Sequence, residues 1–218
     1  MNDITGLRTR MLRGQHGRHR ILMPEHWSTG HLDVSLPERK ALALKLMLER
    51  MPVAIEPEER IVGTRTVFGR KCEDQEGIED PSTDVTMFAY PSYMTDEERG
   101  QYKETYGVVQ VPEGVSKGHY VAGYDKVLRL GFGGIREKAL QRIDAETDPE
   151  KRGWLNAVCL AYEGASCLAH RYADLAVTMA KNATGERVDE LLRIASVCRH
   201  VSAMPPRNLY EALQLFWF

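Results

Sequence analysis

The sequence lacks the features that assign a chain to several common classes of protein. It has no uninterrupted apolar run of the roughly 20 residues that span a bilayer, and no apolar core of a secretory signal. Its four cysteines form no C-x-x-C pair and lie at no zinc-finger spacing from a histidine. Its 29 basic and 31 acidic residues nearly cancel, so no nucleic-acid partner is indicated. We therefore expect a cytoplasmic protein with buried, reduced thiols.

Motifs of phosphate binding and nucleophilic catalysis are missing as well. The glycine-rich stretch 131–134 fits neither phosphate-loop pattern, and there is no G-x-S-x-G elbow or metal-binding cluster. No catalytic, metal or cofactor-binding residue can therefore be named. Candidate substrate-pocket residues are His119, in a loop bounded by Gly118 and Gly123, and the adjacent Tyr124 and Asp125. A loop-bracing role for His119 is the alternative.

Helix signals dominate the chain from residue 35 onward. Capping boxes at Ser35/Glu38 and Thr95/Glu98 each predict a helix start, and the first helix should reach about Met51, buried on most sides. Further helices are predicted over about 124–143, with a break or close approach at its glycines, and over about 148–183, 186–201 and from 208. A short β-type run covers 64–68. The fold class is mainly α, with antiparallel helices and a few short strands, behind an irregular basic arm at 1–34.

The last predicted helix is strongly apolar. Asn208 and Glu211 form a capping box, and the helix then carries an apolar face at helical spacing, formed by Leu209, Ala212, Leu213, Phe216 and Trp217. Each large apolar side chain contributes roughly 1.5–3 kcal/mol when buried. We therefore expect the chain to be the front part of a longer polypeptide that covers this face. The alternative is a short protein whose last helix packs back onto its own body.

Four segments stand out in order along the chain: residues 51–63 (MPVAIEPEERIVG), Gly118-His119 with residues 124–135 (YDKVLRLGFGGI), residues 171–176 (RYADLA), and Pro205-Pro206 with residues 210–218 (YEALQLFWF). Together they resemble the N-terminal part of the pyruvate formate-lyase-like glycyl radical enzymes. The resemblance extends over about residues 36–218. It implies that residues 35–218 are an incomplete domain, the N-terminal helical part of a ten-stranded α/β-barrel.

The resemblance also implies an activity and its partners. In this family a glycyl radical, installed by a radical-SAM activating enzyme, passes to a cysteine that abstracts a substrate hydrogen. Members are lyases, dehydratases, decarboxylases or formate acetyltransferases, mostly homodimeric and anaerobic. The family's catalytic cysteine and radical loop correspond to positions beyond Phe218. Residues 121–124 imitate the radical motif, but the residues after Tyr124 match the family's N-terminal helix, so Gly123 is not taken as the radical site.

This chain alone is therefore expected to be inactive. The alternative from another class is a non-catalytic helical protein–protein interaction module. Such a module would dock a partner through the small-residue stripe of the longest helix, which carries alanine at 161, 165, 169, 173, 176 and 180, and through the Trp217 end.

Overall fold

A set of packed α-helices makes up most of the described structure. The computed structural model describes residues 16–18, 33–51, 53–63, 66–68, 95, 97–98, 100–101 and 123–218. The elements in these ranges are β1 (His16–Arg18), α1 (Leu36–Arg50), β2 (Thr66–Phe68), α2 (Tyr124–Ile143), α3 (Pro149–Ala180), α4 (Glu186–Val201) and α5 (Leu209–Trp217). The predicted mainly helical fold is confirmed.

The two strands form a small antiparallel ribbon. His16 lies opposite Phe68, and Arg18 lies opposite Thr66. β2 falls within the β-type run predicted at 64–68, whereas β1 lies inside the 1–34 arm that the sequence predicts to be irregular. That prediction is wrong for these three residues, because a short strand pairs there over a long sequence separation that local pattern does not reveal. The division of the chain at residue 34 stays a prediction.

Helix α3 is the centre of the bundle, and α1, α2 and α4 all pack against it. Asp148 caps its first turn by accepting hydrogen bonds from the backbone N–H groups of Glu150 (3.0 Å) and Lys151 (3.4 Å). Glycine allows α1 to approach closely, since a Cβ atom on Gly164 would stand 2.8 Å from the Cα of Lys45. The C-terminal part of the alanine stripe is buried inside the bundle, at Ala169, Ala173, Ala176 and Ala180. This part of the stripe is therefore not a free docking surface.

Helix α1 begins at the predicted capping box and is less buried than the sequence predicts. Glu38 accepts a hydrogen bond from the Ser35 backbone N–H at 3.1 Å, and the reciprocal bond is also present. Its fully buried apolar residues are Ala41, Ala43 and Met47, while its five leucines are only partly buried. Within the helix only Lys40, Glu49 and Arg50 are exposed, so the predicted burial on most sides is confirmed in part. Ala43 and Met47 belong to the buried core, and four of the leucines (Leu36, Leu44, Leu46 and Leu48) pack partly buried against it.

The glycines of α2 produce the predicted break. Gly131 has φ +66° within the helix, a conformation that favours glycine, and it separates two helical segments. A Cβ atom there would lie 2.5 Å from the carbonyl carbon of Met204. The Gly133 N–H donates a hydrogen bond to the Ala203 carbonyl at 2.8 Å. The turn between α4 and α5 therefore lies directly against the backbone of α2.

Charged side chains connect the helices at their edges. Glu163 of α3 accepts hydrogen bonds from Lys45 of α1 (2.8 Å) and from Arg136 of α2 (2.7 Å). The bond from Lys45 comes first among the causes that lower the pKa of Glu163, so the carboxylate stays ionised. The predicted capping box at Thr95 is confirmed, and its Glu98 also pairs with Arg39 of α1. Among the described residues, no helix combines the length and apolar character that crossing a membrane requires.

Candidate functional site

Helix α5 turns its polar residues inward and its largest apolar residues outward. Glu211 and Gln214 are buried with Leu215, whereas Leu213, Phe216 and Trp217 are about half exposed. The predicted start at Asn208 is confirmed, because its side chain accepts a hydrogen bond from the Glu211 N–H at 3.1 Å. The prediction errs on one half of the capping box, since the Glu211 carboxylate accepts from the Arg207 backbone N–H and not from that of Asn208. Hydrophobicity alone does not set the orientation of this helix.

Gln214 is the centre of the buried polar face. Its side-chain oxygen accepts a hydrogen bond from the Val62 N–H at 2.9 Å, and its side-chain nitrogen donates one to the Val62 carbonyl at 2.6 Å. Both residues are almost completely enclosed, at 1% and 0% exposed. The amide therefore satisfies both backbone groups of Val62 as a neighbouring strand would, and fixes the extended segment 60–63 against α5.

The same segment makes further contacts along α5. The hydroxyl of Tyr210 donates a hydrogen bond to the Arg60 carbonyl. Gly63 has φ +123°, and a Cβ atom there would lie 3.2 Å from the rings of both Trp217 and Phe218. The segment MPVAIEPEERIVG and the segment YEALQLFWF, recognised separately in the sequence, thus form one contact surface.

A second buried group lies at the start of α5. Arg207 holds Glu211 through its guanidinium (Nη2–Oε1, 2.6 Å) and its backbone N–H (2.7 Å). The Arg207 guanidinium is the largest cause that lowers the pKa of Glu211, to about 2, so the buried carboxylate is ionised at neutral pH. His200 Nε2 lies 2.9 Å from the Pro205 carbonyl and 3.6 Å from Glu211. Because a carbonyl can only accept, Nε2 carries the proton in that contact.

Two arginines from the long helices fix the chain between α1 and segment 60–63. Arg171 of α3 donates to the Leu48 carbonyl at 2.7 Å and to the Met51 carbonyl at 2.5 Å, which satisfies the open C-terminal end of α1. Arg187 of α4 donates to the carbonyls of Glu56 (2.9 Å) and Glu59 (3.1 Å). The backbone from 48 to 63 is therefore held by side chains from α3, α4 and α5.

The predicted pocket residues are only partly described. His119 lies outside the described residues. Tyr124 and Asp125 open α2, where the Tyr124 ring packs against Phe216 of α5 at a centroid distance of 4.7 Å. Tyr124 is 42% exposed, and Asp125 lies at the surface, 3.9 Å from Arg129. Tyr124 therefore borders the exposed face of α5. The pocket role of all three residues stays a prediction.

The described cysteines sit in the helical packing. Cys198 is fully enclosed in the main core and Cys159 is 6% exposed, while Cys167 is half-buried. Burial is the largest cause that raises the pKa of each thiol, to about 12 for Cys198. Cys72 lies outside the described residues. The described thiols are protonated; the predicted burial is confirmed for Cys159 and Cys198 and only in part for Cys167.

Sequence reasoning missed the polar inner face of α5. The signal was present as Arg207 and Glu211 four residues apart, and as a single glutamine at 214 within an apolar run. In the described ranges, no group of three or more histidine, cysteine or carboxylate side chains is arranged to hold a metal ion. Helix α5 can therefore position the backbone of segment 60–63 and present an apolar face. Its ionised and polar groups, Glu211 and Gln214, are already paired.

Comparison with known proteins gives the family context of this arrangement. The sequence model of the pyruvate formate lyase-like proteins matches residues 81–218, which is more than half of the chain. The isethionate sulfite-lyase of Oleidesulfovibrio alaskensis is 39% identical over 107 residues, which cover 45% of this chain and 13% of that protein. The trans-4-hydroxy-L-proline dehydratase of Clostridioides difficile is 25% identical over 244 aligned residues, covering 91% of this chain and 30% of that protein.

The fold has counterparts among solved structures. The glycerol-bound form of the B12-independent glycerol dehydratase from Clostridium butyricum superposes with a TM-score of 0.66 at 26% identity. That match covers 98% of this chain and 33% of the dehydratase. The chain therefore spans about a third of the length of the relatives that it matches along most of its own length.

Proposed function

The chain belongs to the pyruvate formate lyase-like family of glycyl radical enzymes, and we propose that it forms the N-terminal helical part of a glycyl radical dehydratase or lyase. The observation that carries this proposal is the match of 98% of the chain to a third of a glycerol dehydratase. The relatives described above are lyases and dehydratases, and for that reason we favour these reactions over formate acetyl transfer or decarboxylation. The rest of the ten-stranded barrel would come from further polypeptide.

The described residues do not fit the part of the radical-carrying thiol. Cys198 and Cys159 are buried among the helices of the described structure. Cys167 lies on the side of α3 that faces α1, near Lys45 and Glu49. We therefore assign no catalytic residue to this part of the chain, and derive no step of a radical reaction through it. Residues 1–218 alone would be inactive.

The role of this part of the fold would be to position backbone for the barrel. Gln214, Arg171 and Arg187 bind carbonyls and an N–H of the segment between α1 and residue 63. This segment passes from helix to extended chain, and side chains satisfy its backbone groups. A segment fixed in this way could support a strand of the barrel. His119, Tyr124 and Asp125 stay candidates for the rim of the substrate pocket. Partners would be a second copy in a homodimer and a radical-SAM activating enzyme, in an oxygen-free cytoplasm.

Electron paramagnetic resonance tests the proposal. The purified chain and a longer product translated through the downstream DNA would each be incubated without oxygen with a radical-SAM activating enzyme from the same genome. We expect a glycyl radical signal from the longer product and none from residues 1–218. Turnover of glycerol, isethionate or trans-4-hydroxy-L-proline by the 218-residue chain alone would refute the proposal, and so would downstream DNA that encodes no late cysteine and glycine loop.

A helical interaction module is the second candidate, and the outward apolar side chains of α5 favour it. The buried alanines of α3 weigh against it, because they are already used inside the bundle. Light scattering separates the two proposals. A compact and cooperative monomer that binds little hydrophobic dye supports a module, whereas association with strong dye binding supports part of a larger fold.

A further inference from the structure

An apolar surface extends across two helices of the described structure. It consists of six exposed side chains, here called the outer face: Leu209, Leu213, Phe216 and Trp217 of α5, with Tyr124 and Leu128 of α2. Exposure in this set runs from 37% to 75%. The Tyr124 ring lies against Phe216, so the α2 and α5 parts of the outer face meet at this contact. Contiguous apolar surface of this kind marks an interaction site more than a scattered exposed leucine does.

The orientation of α5 is fixed by its other side. If the helix rotated to bury Leu213, Gln214 and Glu211 would lose their hydrogen bonds to Val62 and Arg207. Leaving such groups buried without partners is costly, and hydrogen bonds hold them where they are. The outer face is therefore built into the fold and is not the result of loose packing.

Charged residues border the outer face and leave its centre apolar. Arg207 is 62% exposed at the start of α5, and Asp125 pairs with Arg129 on α2. An apolar centre without charge is typical of permanent interfaces and of interfaces within one fold. The occupant can be inferred from the relatives, since about two thirds of the solved glycerol dehydratase lies outside the region that this chain matches.

We infer that the outer face is the seam on which the remaining part of the family fold packs. The inference rests on the proposed function, because it takes its occupant from there. The polypeptide beyond the matched third would cover Leu213 and Phe216 with apolar side chains and exclude water from them. Segment 60–63, held on the inner side of α5, would thereby be connected to the rest of the barrel through a single helix.

The experiment places the double substitution Leu213→Glu/Phe216→Glu in two contexts. One is the 218-residue chain alone, and the other is a chimera in which this chain replaces its matched third of the Clostridium butyricum glycerol dehydratase. The control is Leu192→Glu on α4, because Leu192 and Leu213 are equally exposed at 48%. Readouts are light scattering and hydrophobic-dye fluorescence for the chain, and soluble, protease-resistant yield for the chimera.

We expect opposite effects in the two contexts. In the chain alone, the two glutamates should lower dye fluorescence several-fold and reduce self-association. In the chimera, they should reduce the resistant yield by roughly tenfold or more, because two unpaired carboxylates would be buried. Leu192→Glu should change neither readout.

Each other outcome contradicts a defined statement. A chimera that folds and tolerates both glutamates refutes the seam, and it points to a second copy if the same change dissociates the chain alone. A chain whose dye binding and association ignore the double substitution refutes it as well. A wild-type chimera that never folds counts against the proposed function itself, which is a separate failure.

Discussion

Replacing Gln214 with leucine tests whether a polar contact fixes α5. Leucine has a similar size but binds neither the Val62 N–H nor its carbonyl, which Gln214 contacts at 2.9 and 2.6 Å. Val62 is 0% exposed, so water does not replace the lost partners. A buried backbone group left unsatisfied costs about 1–3 kcal/mol. For two such groups, Gln214→Leu should lower the free energy of unfolding by about 2–6 kcal/mol.

Urea denaturation followed by circular dichroism measures this loss. The matched control is Gln141→Leu, because Gln141 lies exposed on α2 and its side chain donates a hydrogen bond to Glu137, four residues away on the same helix. A surface change of this kind alters stability by about 0.5 kcal/mol or less. If Gln214→Leu costs no more than Gln141→Leu, the buried amide does not hold segment 60–63, and the argument for the orientation of α5 fails.

Gln214→Glu gives an independent check through pH. The ionised carboxylate still accepts from the Val62 N–H but faces the Val62 carbonyl without a proton to donate. Burial and this carbonyl would raise the folded-state pKa of the new glutamate above its unfolded value of about 4.3. The variant should therefore lie closest to wild type below that pH and lose stability relative to wild type as pH rises through the folded-state pKa. A penalty that is equal at all pH values would contradict the assigned contacts.

Three further predictions concern the other supports of the site. The pKa of Glu211 is lowered to about 2, so the stability that its carboxylate contributes is complete above its unfolded pKa of about 4.3 and is lost as pH falls toward about 2. Wild type should therefore be more stable than Glu211→Gln at neutral pH, and the two should approach each other in acid. Urea denaturation at several pH values checks this, and a stability difference that stays the same in acid would contradict it. Gly131→Ala should lower the free energy of unfolding by about 1–3 kcal/mol, because φ at this residue is +66° and the new Cβ would meet Met204. The control Gly134→Ala, in regular helix, should cost less or stabilise the protein. If the two variants have the same midpoint of thermal denaturation, Gly131 is not strained. Arg187→Lys should lower the free energy of unfolding by about 1–2 kcal/mol, since one ammonium group cannot bind the Glu56 and Glu59 carbonyls together as the guanidinium does. The same change at the exposed Arg199 should be nearly neutral when both variants are unfolded in urea.

Local signals in the sequence predict the helices well. Ser35 with Glu38, Asp148 with Pro149, and Asn208 are capping residues whose chemistry acts within a few residues, so they can be interpreted without knowing the fold. The helix predicted over 186–201 has the bounds that the structure shows, because glycine and the later prolines delimit it. The break in α2 also results from its glycines.

The orientation of α5 could not be predicted in the same way. Its apolar periodicity favours Leu209, Leu213 and Phe216 as the buried face, and within one helix nothing contradicts that interpretation. The decision comes from Val62, which lies 152 residues from Gln214 and whose backbone needs partners. A glutamine in an apolar run is a signal, but its partner is a backbone group that any residue carries. The strand at 16–18 escaped prediction for the same reason, since its pairing is long-range.

The break at Gly131 divides α2 into two short helices that differ in burial. Residues 123–126 are exposed, although the Tyr124 ring lies on Phe216 and Val127 packs partly against the core. Phe132 and Ala139 beyond the break are buried in the bundle. Hydrogen-bond cooperativity does not carry across a residue of that conformation, so opening of the first turns need not disturb the later ones. Amide protons before the glycine should thus exchange with deuterium faster than those after it. The beginning of α2 would also become more protected when a partner binds α5.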